Sequence, residues 1–86
     1  MFQLTIHGFG GDKHIIDICT DESSFCKMTI TDVKNKFVKE TGMPVEPETI
    51  RFLFAGKQLE NQMTLSYYNI QNKSVIMTVV RLPGGF

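Results

Sequence analysis

The sequence lacks the features that mark several large classes of protein. Its nine Lys and Arg residues balance nine Asp and Glu residues, so the formal net charge is zero. A basic surface that would bind nucleic acid or anionic lipid is therefore not expected. No apolar run approaches the roughly 20 residues of a membrane-spanning helix, and the first residues do not resemble a signal peptide. These absences predict a cytoplasmic and nuclear protein that binds neither nucleic acid nor membrane.

Cysteine and histidine are also scarce, and their spacing does not suggest a catalytic or metal centre. Cys19 and Cys26 are too few for a secreted disulfide framework, so we expect reduced thiols. Together with His7 and His14 they match no zinc finger or zinc ribbon pattern. A Cys-His nucleophile would need a cleft, and 86 residues supply one modest core without one. We therefore predict no enzyme activity, no metal and no cofactor.

Periodicity predicts a hairpin at the N-terminus, followed by a loop. Residues 2–7, FQLTIH, alternate between apolar and polar side chains, which is the period of a half-buried strand. The glycine-rich GFGGDK breaks this pattern, and HIIDIC resumes it, so residues 2–19 are expected to form the hairpin. GFGG lacks the spacing of a phosphate-binding loop. Residues 20–28, TDESSFCKM, show no clear period and are predicted to be a loop.

The rest of the chain predicts one amphipathic helix and three further strands. Thr29 and Asp32 have the spacing of a helix N-cap, and Gly42 can end that helix. Two prolines follow and force an extended connection. TIRFLFAG, the short QLE and SVIMTVVRL have strand character, whereas TLSYYNI is either a helical turn or a loop carrying tyrosines. This order predicts an α+β fold with a mixed sheet of about five strands packed on one main helix.

A specific resemblance appears in the second half of the chain. Residues 51–85, RFLFAGKQLENQMTLSYYNIQNKSVIMTVVRLPGG, resemble the second half of ubiquitin without gaps, and residues 29–42 resemble its helix in register. The first 28 residues match only in pattern, and the stretch before the helix is longer than in ubiquitin. The resemblance implies the ubiquitin-like β-grasp fold, with a domain at residues 1–82 and a flexible tail at residues 83–86.

The resemblance also implies the role of a protein modifier. In this family the C-terminal glycine is activated, passed through enzyme thioesters and joined to a target lysine, so the protein is a substrate and a tag. Gly84 and Gly85 lack Cβ atoms and can thread a narrow enzyme channel, whereas Phe86 would first have to be removed. The implied partners are a processing peptidase, the activating, conjugating and ligating enzymes of a ubiquitin-type pathway, and ubiquitin-receptor domains. The protein itself is expected to be a monomer.

Further positions follow from the resemblance residue by residue. The apolar surface that receptors contact is expected at Phe9, Leu53, Met77 and Val79. Basic residues flank it at Arg51 and Arg81. Lysines that accept a further modifier are expected at Lys57 and Lys34.

Two departures from ubiquitin keep a second function open. Pro83 stands where ubiquitin has an arginine, so a charge and a backbone N–H are lost from a segment that enzymes bind in extended form. Phe86 blocks the glycine carboxylate. The alternative is therefore an unconjugated interaction domain, or a decoy, that docks to ubiquitin-binding partners. For the apolar surface, the simpler interpretation is scattered exposed apolar residues.

Overall fold

The N-terminal hairpin forms as the alternation predicts. This computed structural model describes residues 1–8 and 10–80. Strand β1 spans Phe2–His7 and pairs antiparallel with β2, Lys13–Cys19. Leu4 and Ile6 are fully buried on the inner face of β1. The pairing shifts by one residue at the start of β1, where Phe2 lies opposite Cys19 and the next pair is Gln3 with Asp17. This shift is a bulge that places Ile18 between the two pairs.

A short helix follows the hairpin, so the prediction of a loop at residues 20–28 is wrong. Helix α1 spans Glu22–Lys27, and the Asp21 carboxylate caps it by accepting the Ser24 amide at 2.9 Å. The Asp21 pKa lies below its usual value, chiefly because of this backbone hydrogen bond. Phe25 is buried, with its ring centroid 5.3 Å from that of Phe2. The hydrophobic contact of Phe25 with the sheet stabilises a helix that its sequence alone would not.

The main helix, α2, spans Ile30–Thr41 and begins and ends as predicted. The Thr29 hydroxyl accepts the Asp32 amide at 3.2 Å, and the Asp32 carboxylate accepts the Thr29 amide at 3.2 Å, which together make a capping box. Gly42 ends the helix with φ of 69°, a left-handed conformation that glycine adopts at little cost. Ile30, Val33 and Phe37 are buried against the sheet.

Three strands complete the sheet. A 3₁₀ turn at Pro47–Thr49 leads into β3, Ile50–Phe54, which is followed by β4, Lys57–Gln58. A second 3₁₀ turn, Ser66–Tyr68, settles the open choice for TLSYYNI in favour of a helical turn. The last strand, β5, spans Val75–Val80.

The sheet has the order β2-β1-β5-β3-β4, with β1 and β5 parallel and the other pairs antiparallel. This mixed five-stranded sheet with its main helix confirms the predicted α+β β-grasp fold. The predicted boundary between domain and tail, after residue 82, lies outside the described residues. Within those residues no helix is long and apolar enough to cross a membrane.

The core lies between one face of the sheet and the helices. Its aromatic centre is the edge-on contact of Phe37 with Phe52, whose ring centroids are 6.0 Å apart. The buried apolar side chains are those of Leu4, Ile6, Ile16, Ile18, Phe25, Ile30, Val33, Phe37, Ile50, Phe52, Leu59, Leu65, Ile70 and Ile76. Because all of these point inward, the opposite face of the sheet is left to solvent.

Candidate protein interaction surface

The outer face of β3 and β5 brings four of the predicted surface residues together. Leu53 lies directly opposite Met77, and Arg51 lies directly opposite Val79, in the antiparallel pairing of these strands. Opposed side chains share a face and have Cβ atoms about 4.5–5.5 Å apart. Met77 is 47% exposed and Val79 is 44% exposed, whereas Leu53 is half-buried. We call Leu53, Met77 and Val79 the apolar patch; Arg51 borders it.

Two further residues extend this surface. Val75 is 47% exposed on the same face of β5, two residues before Met77. His7 lies beside Met77 in the parallel pairing of β1 with β5. The period-2 alternation of a strand is a sequence signal that could have found Val75, but the position of His7 depends on the parallel pairing and could not be read from local sequence. The surface is thus broader than the sequence predicted.

A rigid support lies beneath the apolar patch. Ile50 and Phe52 on β3 and Ile76 on β5 alternate with the patch residues and are fully buried. The Thr78 hydroxyl donates a hydrogen bond to the His7 carbonyl, which ties β5 to β1 at the end of their pairing. Because the patch is carried on paired strands rather than on a loop, its side chains are held in fixed relative positions.

Several predicted residues lie outside the described residues. These are Phe9 in the hairpin turn, Arg81 beside the patch, and Gly84, Gly85 and Phe86 in the tail. Their expected roles in receptor contact, conjugation and processing stay predictions.

Lys57 lies on a well-defined exposed turn. Ala55 and Gly56 both have positive φ, 52° and 79°, and Phe54 pairs with Lys57 across them. Two central residues of positive φ make a tight hairpin turn whose twist matches the flanking strands. Lys57 is exposed at the start of β4, the edge strand of the sheet. Its amine is therefore accessible to an incoming carbonyl carbon.

Lys34, the other predicted acceptor, is in a very different environment. Its residue surface is only 4% exposed, and its Nζ donates a hydrogen bond of 2.6 Å to the Asn61 Oδ1. The same Nζ lies 5.8 Å from the centroid of the Phe52 ring. Burial lowers the pKa of Lys34, and the positive charge of Arg51 lowers it further. The Lys34 residue is thus much less exposed than Lys57.

His14 contacts an acidic side chain and an aromatic ring. The His14 Nε2 contacts the Asp12 Oδ2 at 2.7 Å, and the His14 ring packs edge-on against Phe37. The pKa of Asp12 is held below its usual value, first by a hydrogen bond from its own amide and next by His14. Cys19 and Cys26 are half-buried thiols. Within the described residues, no three His, Cys, Asp or Glu side chains are grouped so that they could hold a metal ion.

Comparison with known proteins gives two findings. A family model described as the ubiquitin family matches residues 4–83. A curated relative, the NEDD8-like protein RUB3 of Arabidopsis thaliana, is 35% identical over 57 residues, which are 66% of this chain and 70% of that protein. The family match includes most of the hairpin, both helices, the apolar patch and Pro83, and it ends before Gly84.

Proposed function

Because this chain belongs to the ubiquitin family, we propose that it is a protein modifier that is joined through Gly85 to lysine side chains of its targets. The observation that carries the proposal is the directly opposed pair Leu53 and Met77 on the exposed face of the sheet. It belongs to an apolar surface that the core does not use. The similarity to a NEDD8-like protein supports the same general role.

The apolar patch supports recognition by receptor domains. A receptor that covers Met77, Val79 and half-buried Leu53 removes apolar area from water, which favours association. Arg51 at the border of the patch can donate paired hydrogen bonds to a carboxylate of the partner. The methionine adapts its shape to different partners because its side chain is unbranched and polarisable. A ubiquitin-receptor domain with an apolar centre and an acidic border fits this surface.

The chemistry of attachment is assigned to the tail on sequence grounds. Hydrolysis of the peptide bond between Gly85 and Phe86 releases phenylalanine and leaves the Gly85 carboxylate. An activating enzyme then joins this carboxylate to AMP, with loss of pyrophosphate from ATP. A cysteine thiolate of the enzyme displaces AMP to form a thioester, and a target amine displaces the thiolate to form the isopeptide bond. In each step the modifier supplies the acyl group, and the catalytic groups belong to the enzymes.

Lys57 is the residue of this chain that we propose as an acceptor for a second modifier. Its exposure on the edge strand supports this role. The burial of Lys34 does not favour the other predicted acceptor. A chain of modifiers would therefore extend from the β4 edge of the sheet.

An unconjugated interaction domain is the second candidate function. Pro83 and Phe86 favour it, because a docking domain needs neither a tail that enzymes bind in extended form nor an exposed glycine carboxylate. In this case the apolar patch would act alone. The same receptor domains would bind, but no covalent product would form.

Intact-mass measurement separates the two functions. The protein, with an epitope at its N-terminus, is incubated with cell extract and ATP beside a Gly85→Ala control. Loss of one phenylalanine, together with thiol-resistant adducts that require Gly85, is the result expected of a modifier. An unchanged mass with receptors captured only non-covalently would overturn conjugation and favour the interaction domain.

A further inference from the structure

The strand β2 presents an open edge with a regular set of hydrogen-bonding groups. The Gly8 amide donates to the Asp12 carbonyl at 2.7 Å, so the Asp12 carbonyl points toward the opposite side of the hairpin. Backbone groups alternate in direction along a strand, so those of His14 and Ile16 point toward β1. The amides and carbonyls of Lys13, Ile15 and Asp17 therefore point away from the sheet. Among the described strands, none pairs with this edge.

The same three residues carry a distinctive set of side chains. All three are exposed, and Ile15 at 67% is the most exposed apolar side chain in the described part of the sheet. Ile15 lies opposite Thr5, on the face away from the buried Ile16. The exposed face of the edge strand thus carries Lys13, Ile15 and Asp17. The cation lies two residues before the central apolar residue, and the anion lies two residues after it.

We propose that two copies of this chain pair along β2 as an antiparallel dimer whose two-fold axis passes through the pair of Ile15 residues. In this register Lys13 of one copy lies opposite Asp17 of the other, and the reverse pair follows by symmetry. Opposite charges that face each other across strands are favourable. Each of these facing pairs also exchanges both backbone N–H···O bonds, because the groups of all three residues point outward.

The charges disfavour two of the other registers in which the same outward backbone groups face each other. Moving the axis to Lys13 places two lysines opposite each other, and moving it to Asp17 does the same with two aspartates. A lysine on an edge strand usually opposes pairing with other chains. Here Asp17 lies four residues after Lys13, so an antiparallel second copy offers a carboxylate opposite each lysine in the proposed register.

Both charged groups are available for the contact. The Gln3 side-chain amide donates to the Asp17 Oδ1 at 2.7 Å, which fixes the carboxylate and leaves the second oxygen to accept from a lysine. The whole chain has zero formal net charge, so long-range repulsion between copies is small. One strand pair buries less surface than the ~1,200 Å² of a stable standard interface, so the dimer is expected to be weak.

The dimer would be one continuous sheet with two apolar patches on the same side. Directly opposed residues share a face, so the outer face of each copy joins that of its partner across the Ile15 pair. On this proposal the protein forms a weak dimer, whereas the sequence analysis expects a monomer. The pairing is independent of whether Gly85 is ever conjugated.

Sedimentation velocity of the full chain up to about 1 mM tests the proposal, since weak association is populated there. The variants are Lys13→Asp and Asp17→Lys. Each should weaken self-association about tenfold, because both cross-strand pairs become like-charged. An equimolar mixture of the two variants should recover the dimer, since every facing pair is then opposite in charge. Lys39→Asp, which makes the same charge change at an exposed position of α2, is the control and should dimerise like the parent.

Other results would overturn the proposal. A parent protein that stays monomeric at every concentration excludes the pairing. A dimer that survives Lys13→Asp and Asp17→Lys uses another surface, such as the apolar patch. A monomer that binds a foreign extended peptide along β2 assigns the edge to a different partner. Thermal melts of each variant establish that the fold is intact, so that loss of the dimer is not caused by unfolding.

Discussion

Leu53 on β3 and Met77 on β5 lie directly opposite each other on the exposed face of the sheet, while their chain neighbours Phe52 and Ile76 are fully buried. We predict that Leu53→Ala weakens binding to a ubiquitin-receptor domain by about tenfold or more, because apolar residues near the centre of an interface carry much of its affinity. Its free energy of unfolding should fall by no more than about 1 kcal/mol. Calorimetric titration and urea unfolding measure the two quantities.

The control for this prediction is Tyr67→Ala. Tyr67 is 63% exposed and lies outside the apolar patch, so its truncation should leave receptor affinity unchanged. If Leu53→Ala instead unfolds the protein at much lower urea, Leu53 belongs to the core. The assignment of the patch would then be wrong.

Lys57 and Lys34 should differ as acceptors of a second modifier. Lys57→Arg should remove most self-conjugates in an extract that conjugates this protein, because it deletes an exposed amine on the edge strand. Lys34→Arg should leave the yield unchanged, because the Lys34 amine is buried and bonded to Asn61. Gel mobility of the epitope-bearing products provides the measurement. Equal losses in both variants would show that burial does not decide the acceptor.

Because of Lys34, the free energy of unfolding should rise as pH increases in the alkaline range. Its pKa in the folded state lies below the ordinary value of 10.5 because of burial and the charge of Arg51. Between the lowered folded pKa and the unfolded pKa, the unfolded chain binds more protons, so the free energy of unfolding increases as pH rises through that window. Below the folded pKa, both states are protonated and Lys34 contributes no slope.

Two variants isolate this effect. Lys34→Met should abolish the alkaline rise, because it removes the titrating amine while filling similar space. Asn61→Asp should also reduce the rise, since a carboxylate beside Nζ raises the Lys34 pKa toward its unfolded value. Urea unfolding at successive pH values measures the slope. A slope in Lys34→Met equal to that of the parent would assign the pH dependence to other groups.

Phe25 should be essential to the stability of the region that the sequence predicted to be a loop. Phe25 is 2% exposed and packs on Phe2. Phe25→Ala should cost about 3–5 kcal/mol of unfolding free energy, the usual range for deleting a buried phenylalanine. Ser23→Ala, at an exposed position of the same helix, should change stability by less than about 0.5 kcal/mol. If Phe25→Ala and Ser23→Ala both change the free energy of unfolding by the same small amount, α1 contributes little to the core.

Much of the fold could be predicted because its signals are local. The alternation in β1 places Leu4 and Ile6 in the core, and Thr29, Asp32 and Gly42 mark the two ends of α2 with residues that satisfy backbone groups there. Helix α1 was missed because it is only 6 residues long and buries one side chain, so no period can be seen. Its available signals were the cap Asp21 and the acidic and basic residues at its two ends.

The candidate site was less predictable, because its geometry depends on contacts between distant segments. Lys34 shows this most clearly: it follows Ile30 by four residues, so it falls on the inner stripe of α2, where an apolar residue would be expected. That position was a usable signal of burial, yet its partner Asn61 comes from a loop far along the chain. The contact of His7 with Met77 likewise requires the parallel pairing of the first and last strands.

Mass spectrometry of trypsin-digested conjugates tests the central claim most directly. Trypsin cleaves after Arg81, so a target lysine joined to Gly85 keeps residues 82–85, Leu-Pro-Gly-Gly, on its Nε atom. We predict such remnants on target peptides from extract containing ATP and the parent protein, and none with Gly85→Ala. Absence of the remnant with the parent, in an extract that conjugates added ubiquitin normally, would contradict conjugation through Gly85.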